Sequence, residues 1–240
     1  MKDKKYELVE DDFILHNGRK LYRIRALKKF VTFLGTAVQR GDLGGYVEGY
    51  HNLSQEDECW IFYEAKVYGN ASIKDCALVI GSAEVFDNAM VTGNARVEEH
   101  AKIYGNARIE INAKVGDYAK IYGNAVVRNS AKVWWNARVY GNVRIGVRSF
   151  IGQEARVFGN ANVRCSAEIS GSAIVYGNAV ITNDAIVGGD ARIHANVVVG
   201  GDARIKSDST VSEINNYGVY HVEEVDSICG NARTYGLLDC

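Results

Sequence analysis

From Ala65 to Ser212 apolar and polar positions recur in a frame of six that never slips. Counted from Ala65, the first position of each hexad is Ala in 21 of 25 repeats, the exceptions being Val143, Ser149, Val197 and Ser209. The third position is Val or Ile every time, from Val67 to Val211. A fixed short period of this kind marks a solenoid. Side chains alternate between faces along a strand, so the first and third positions point inward and the second and fourth outward. Ala suits the place where narrow walls converge, and a β-branched residue suits the pleated surface.

A slower period lies over the first. Tyr68, Phe86, Tyr104, Tyr122, Tyr140, Phe158 and Tyr176 stand 18 residues apart, as do Asn70, Asn88, Asn106, Asn124, Asn142, Asn160, Asn178 and Asn196. Three hexads therefore make one coil, each hexad a short strand and a corner, and the cross-section is triangular. The pattern predicts an all-β, single-stranded parallel β-helix of 18 residues per coil and about eight coils. Corner pairs such as Gly141-Asn142 and Gly159-Asn160 bring together the two residues that best tolerate positive φ. Stacked Asn side chains can also hydrogen-bond from coil to coil. The chain has no proline, as expected where nearly every backbone N–H pairs with the next coil.

A solenoid needs caps over its end coils. Residues 1–46 are expected to form a small N-terminal β cap, 47–64 an irregular first coil, 65–212 the hexad helix and 213–240 a C-terminal cap. In the first cap, Leu21 to Leu27 alternates like a strand after a turn at Asn17-Gly18. Val219-Tyr220-His221-Val222 alternates in the last. Phe13 to Gln39 holds no acidic residue but carries Arg19, Lys20, Arg23, Arg25, Lys28 and Lys29, which reads as a solvated strand face or as a site for an anionic partner.

Composition narrows the setting. The formal net charge of −1 gives no overall pull toward nucleic acid or membrane. Apolar runs are too short to span a bilayer, and the first residues lack a signal-peptide core. Five cysteines without motif spacing point to a reducing cytoplasm, with Cys59 as a buried thiol and Cys229 and Cys240 near enough in sequence to meet. There is no His/Cys cluster of the kind that holds a metal.

Hexads of the form aliphatic-x-x-x-small-x, three to a turn, resemble the left-handed parallel β-helix of the hexapeptide-repeat proteins, an exception to right-handed crossover. Gly41-Asp42-Leu43-Gly44-Gly45-Tyr46-Val47-Glu48, followed by Asn52-Leu53-Ser54, resembles the lead-in of YdcK-like members, which occur in bacterial and bacteriophage genomes and are labelled acyltransferases. The resemblance implies a trimer around an axis parallel to the coil. It also implies acetyl-CoA bound between subunits and a histidine as general base. His100, in Glu98-Glu99-His100 at a corner, and His194, at the end of the aromatic series, are the candidate bases within the coil. Enzymes of that superfamily carry an extruded loop in mid-helix, and this chain departs from them because all its hexads are in frame. Fold alone does not fix function.

The outer surface offers a different kind of site. On the face leading into the Tyr-Gly-Asn corner, the second position holds Lys66, Lys102, Lys120, Arg138, Arg156 and Arg192, broken by Glu84 and Ile174. The fourth position beside them holds Tyr104, Tyr122, Tyr140 and Phe158 among the aromatics. The rings are expected to stack on one another with basic chains alongside, or to form a stripe for an acidic protein surface or single-stranded nucleic acid. The other two faces carry outward apolar residues, Met90, Val126, Val180 and Val198 on one and Leu78, Phe150 and Ile186 on the other, beside flattening glycines. A homo-oligomer, with a trimer favoured, is expected to pack there. The reading favoured is a non-catalytic binding or scaffold protein without a cofactor, meeting a macromolecular partner and no membrane. The alternatives are an acetyl-CoA-dependent acyltransferase and a phage-encoded sequestering protein acting on a host protein or small ligand.

Overall fold

The computed structural model describes residues 4–206, 209–214, 220–223 and 228–229. They fall into two units, residues 1–117 and 118–240. Both are built from the same repeat: a two-residue strand at positions two and three of each hexad, paired in parallel with the strand 18 residues away. Arg138 pairs with Arg156 and Val139 with Val157 in this way on the face that carries the aromatic positions, and Val180 pairs with Val198 on the second face. On the third face Phe150 pairs with Glu168. The strands make about nine turns in all, one more than the hexad run supplies, because residues 43–64 already wind as a coil. Among the described residues there is no helix, and hence none long and apolar enough to cross a membrane.

The interior follows the two inward positions. Ala or a small residue at position one and Val or Ile at position three are buried throughout, from Ala65 and Val67 to Ile205. Ser149 and Ser209 replace Ala without an orphaned hydroxyl: Ser149 Oγ donates to Gly146 O, and Ser209 Oγ to Lys206 O at 3.4 Å. Backbone N–H groups bond the next coil, as in Lys120 N to Ala137 O at 2.9 Å and Asn124 N to Gly141 O at 2.8 Å. A proline at such a position would delete the bond.

Corners divide their labour between the fifth and sixth positions. Every fifth position from Tyr63 to Gly201 has positive φ, glycine or not, so the left-handed conformation belongs to the geometry of the corner rather than to any one side chain. At the Gly-Asn corners it is Gly that adopts it, φ +85° at Gly141, while Asn142 bonds its equivalents on neighbouring coils. At Asp75, Asp87 and Gln153 the fifth-position side chain accepts an N–H one coil on, as Asp87 Oδ2 does from Gly105 at 3.1 Å. Asn and Asp tolerate this backbone region well, whereas a β-branched residue does not.

In the first unit the hairpin of β1 (Tyr6–His16) and β2 (Arg19–Ala26) turns at Asn17-Gly18, with φ of +49° and +75°. β3 (Phe30–Val31) and β4 (Ala37–Val38) form a small ribbon. β5 (Leu43–Val47) pairs antiparallel with β2 and parallel with Lys66–Val67, which converts the cap sheet into the solenoid face. The Gly44-Gly45 pair permits that junction: a Cβ on Gly44 would lie 2.6 Å from Ile24 Cγ1 and 2.7 Å from Ile61 O. Asn52 then locks the first corner, accepting from Glu48 N and Gly49 N and donating to Gly69 O and Ala71 O. The lead-in motif is thus accounted for by chain geometry.

One outward expectation changes here. Leu78 is fully buried, as is its register partner Trp60, because Tyr6 and Phe30 of the cap pack edge-on against the Trp60 ring. Leu78 is therefore not part of a free apolar face. In the second unit, Tyr220–Glu223 pairs antiparallel with Thr210–Ile214, and Ile228–Cys229 with Arg204–Ile205, so the parallel register ends there. Val219, Cys240 and the side chain of Cys229 lie outside the described residues.

Candidate interaction surface

Within residues 1–117 the aromatic position forms a stack of Tyr68, Phe86 and Tyr104, with ring centroids 5.0 and 4.9 Å apart and planes within 3° of parallel. Within residues 118–240 the stack is Tyr122, Tyr140, Phe158, Tyr176 and His194, at 4.8 to 5.0 Å. The spacing is the coil repeat itself, so each ring meets its neighbour with no adjustment of the backbone. Asparagine ladders run beside them, Asn70–Asn88–Asn106 in the first unit and Asn124–Asn142–Asn160–Asn178–Asn196 in the second, at 2.8 to 3.0 Å. The expected ring stack is present. It leaves ring edges and polar tips for a partner, because the faces are used by other rings.

The basic positions differ between the units. In the first, Glu84 interrupts the series and gathers its neighbours: Oε1 accepts from Lys102 Nζ at 2.9 Å, and Oε2 meets Tyr68 OH and His16 Nε2 at 3.1 Å each. Burial pushes the Glu84 carboxyl up, but Lys102, His16 and Tyr68 together outweigh it and hold the group below its ordinary value. The same carboxylate, after burial itself, pushes the Tyr68 phenol well up. Lys102 is accordingly a neutralised cation. His16, at the tip of β1, lies edge-on to Tyr68 with centroids 5.3 Å apart and ends the stack.

In the second unit Lys120, Arg138 and Arg156 stand on consecutive strands, Lys120 beside Arg138 and Arg138 beside Arg156. Among the described residues none of the three makes an ion pair. Like charges directly opposite in a sheet destabilise it. The eight residues expected to make the binding face thus separate into two groups. Lys102 and Tyr104 belong to the first unit, whereas Lys120, Arg138, Arg156, Tyr122, Tyr140 and Phe158 share one continuous surface in the second.

The cap cations are mostly satisfied. Arg19 bonds both oxygens of Glu48 at 2.8 and 2.9 Å, and Arg25 Nε bonds Glu7 at 2.8 Å. Arg23 reaches Glu64 at 3.1 Å and lies over the Tyr46 ring. Lys20 sits over Phe13, 3.9 Å from the centroid. Their partners are carboxylates from outside the acid-free stretch or aromatic rings, so these four cations form a paired face.

The candidate bases stand apart from one another. His100 is an exposed sixth-position residue of the third face, in the first unit. His194 is the last rung of the second unit's stack, tilted 20° from Tyr176 at 4.9 Å. Neither lines the cleft of about 560 Å³ formed by Arg19, Glu48, His51, Asp87 and the Asn70 ladder, or the cleft of about 680 Å³ formed by Glu168, Ile186, Asp190 and Lys206. No group of three potential metal ligands occurs among the described residues. No loop is extruded between the strands of residues 66–205.

Two cysteines carry unexpected detail. The Lys5 ammonium is buried and donates to Cys59 O at 2.9 Å and to Cys59 Sγ at 3.3 Å. Burial pushes its pKa down and that of Cys59 up. Cys165 is disulfide-bonded.

The model of the YdcK beta solenoid repeat family matches residues 173–189, and the chain carries repeats of that YdcK-like kind. A solved structure of LpxA from Acinetobacter baumannii is similar over 64% of this chain and 69% of that one, with 13% identity and a TM-score of 0.34. No curated protein matches.

Proposed function

We propose that this is a non-catalytic binding protein whose basic-aromatic face, in residues 118–206, engages an acidic protein surface. The observation that carries the reading is the unbroken series Lys120, Arg138 and Arg156, three register-adjacent cations without a carboxylate partner among the described residues. A partner bearing carboxylates at matching intervals relieves that repulsion and gains charge-assisted hydrogen bonds. Single-stranded nucleic acid is the less suitable occupant. Its binding relies on bases stacking on free ring faces, and these rings already stack on one another.

The acyltransferase reading has less support, since His100 and His194 stand on different faces and line neither cleft. The flatter faces are proposed to carry self-association as a trimer, with the half-exposed Trp135 and its edge-on neighbour Phe150 in the contact. Light scattering that reports a monomer at micromolar concentration removes the trimer. Fluorescence anisotropy with a labelled poly-glutamate peptide and a labelled oligonucleotide, at low and high salt, tests the binding reading. Salt-sensitive binding of the peptide in preference to the oligonucleotide is the expected result. Stronger binding of the oligonucleotide, or of neither, rejects an acidic protein surface as the ligand.

A further inference from the structure

Arg128, Gly146 and Arg164 occupy the same outward position on three successive coils of the second face. Arg128 N bonds Ile145 O and Gly146 N bonds Val163 O, both at 2.9 Å, which fixes their register. Arg144 stands two residues ahead of Gly146 on the middle coil, and Arg148 stands at that coil's corner. The middle coil has no side chain at the shared position. A Cβ built on Gly146 would meet only Arg128 Cγ, at 4.0 Å. The attachment points of Arg128 and Arg164 are two coil repeats apart, about 9.6 Å. Two long side chains rooted that far apart on either side of a bare glycine are able to converge their guanidinium groups on one tetrahedral oxyanion.

Two further observations mark the notch. Among the described residues none of the four arginines makes an ion pair, and the carboxylates on the same face of the second unit, Asp184 and Asp202, stand at corners one and two coils past Arg164. Arg164 Nε is cut off from solvent and has no acceptor among the described residues. Buried N–H groups are ordinarily paired, so an orphan of this kind calls for a partner. The corner that carries Arg148 has the same two-residue left-handed turn as its neighbours, with φ of +42° and +61° at Val147 and Arg148 against +54° and +63° at Asn129 and Ser130 and +59° and +69° at Cys165 and Ser166, so Arg148 is placed by the repeat itself.

We infer that this notch is an anion-binding site that takes the phosphate group of a phosphorylated ligand, between the Arg128 and Arg164 guanidinium groups over Gly146. Guanidinium forks match phosphate oxygens in pairs, and four of them supply the charge of a multiply ionised group. The site lies on a different face from the basic-aromatic ladder and stands independently of the function proposed for it.

The test is calorimetric titration of the full chain with inorganic pyrophosphate, with sodium chloride at matched ionic strength as the blank. Saturable binding at one site is expected, weakened tenfold or more in Arg164→Gln and in Gly146→Leu and unchanged in Lys132→Gln on the third face. Gly146→Leu is the sharper variant, because it keeps every charge and fills the notch. Circular dichroism verifies that each variant is folded, and Arg128→Gln replaces any that is not. An absence of saturable binding to the unaltered chain overturns the inference. So does binding that Gly146→Leu leaves intact, or a loss in Lys132→Gln equal to that in Arg164→Gln, since either shows diffuse attraction without a site.

Discussion

Tyr140 and Phe158 lie face to face across one coil, with ring centroids 4.9 Å apart and planes 4° from parallel. Tyr140 makes the same contact with Tyr122 on its other side, so both its ring faces are covered. The stack is thus part of what holds the coils together, and a partner reaches only its edge. Removing the ring should show this. Tyr140→Ala forfeits two stacking contacts, each worth about 0.5–1.5 kcal/mol beyond burial, and is expected to destabilise the protein by about 2–3 kcal/mol in chemical denaturation. Tyr140→Phe, which keeps the stack, should lie within about 0.5 kcal/mol of the unaltered chain. Equal losses in the two variants would place the energy in the hydroxyl instead.

Glu84 ties the N-terminal hairpin to the first unit's stack through His16, Tyr68 and Lys102. Its carboxyl is held below the ordinary value of 4.5. The stability it contributes is therefore fully present above that value and is lost as pH falls through the lower, folded value. Thermal melts from pH 6 down to about pH 3 should flatten in Glu84→Gln relative to the unaltered chain. Parallel melting curves in the two would show that Glu84 has no part in acid sensitivity.

Val147 sits at a corner with φ of +42°, where a β-branched side chain is disfavoured. Val147→Gly is expected to raise stability by up to about 1 kcal/mol through relief of that strain. If denaturation shows a loss instead, the contacts of the Val147 side chain outweigh the backbone term.

Acetyl-CoA separates a binding protein from an acyltransferase. No change in melting temperature is expected with millimolar acetyl-CoA, and His100→Ala should behave as the unaltered chain. A clear upward shift that His100→Ala or His194→Ala removes would move the protein into the acyltransferase class.

Much of this architecture is written in the spacing of Ala65, Val67, Tyr68 and their equivalents, because inward positions and stacked ladders repeat with the coil. The corners were only partly legible. Positive φ is demanded of the fifth position whatever occupies it, and Ile111, Trp135 and Val147 accept it although their side chains oppose it. Ring stacking could be anticipated from the 18-residue spacing, but the fate of the adjacent cations could not. Lys102 is neutralised by Glu84, which has the same outward position one coil earlier, whereas Arg138 and Arg156 have no such neighbour. Leu78 looked outward because its cover comes from residues far away in sequence, Tyr6 and Phe30 about Trp60. The arginine notch was invisible for a related reason. Arg128, Arg144, Arg148 and Arg164 fall on three different hexad positions, and only stacked coils bring them around Gly146.

The central claim is that Lys120, Arg138 and Arg156 form a binding surface and not merely a charged wall. Binding of labelled poly-glutamate peptide to the unaltered chain and to the Arg138→Glu/Arg156→Glu variant, measured at low salt, tests it most directly. Reversal of both charges puts one glutamate beside Lys120 and leaves the second as its like-charged neighbour, so one of the two like-charge contacts becomes attractive and the fold should be no less stable by thermal melting. The account predicts at least a tenfold loss of affinity in that folded variant. Equal affinity in the two chains would contradict it.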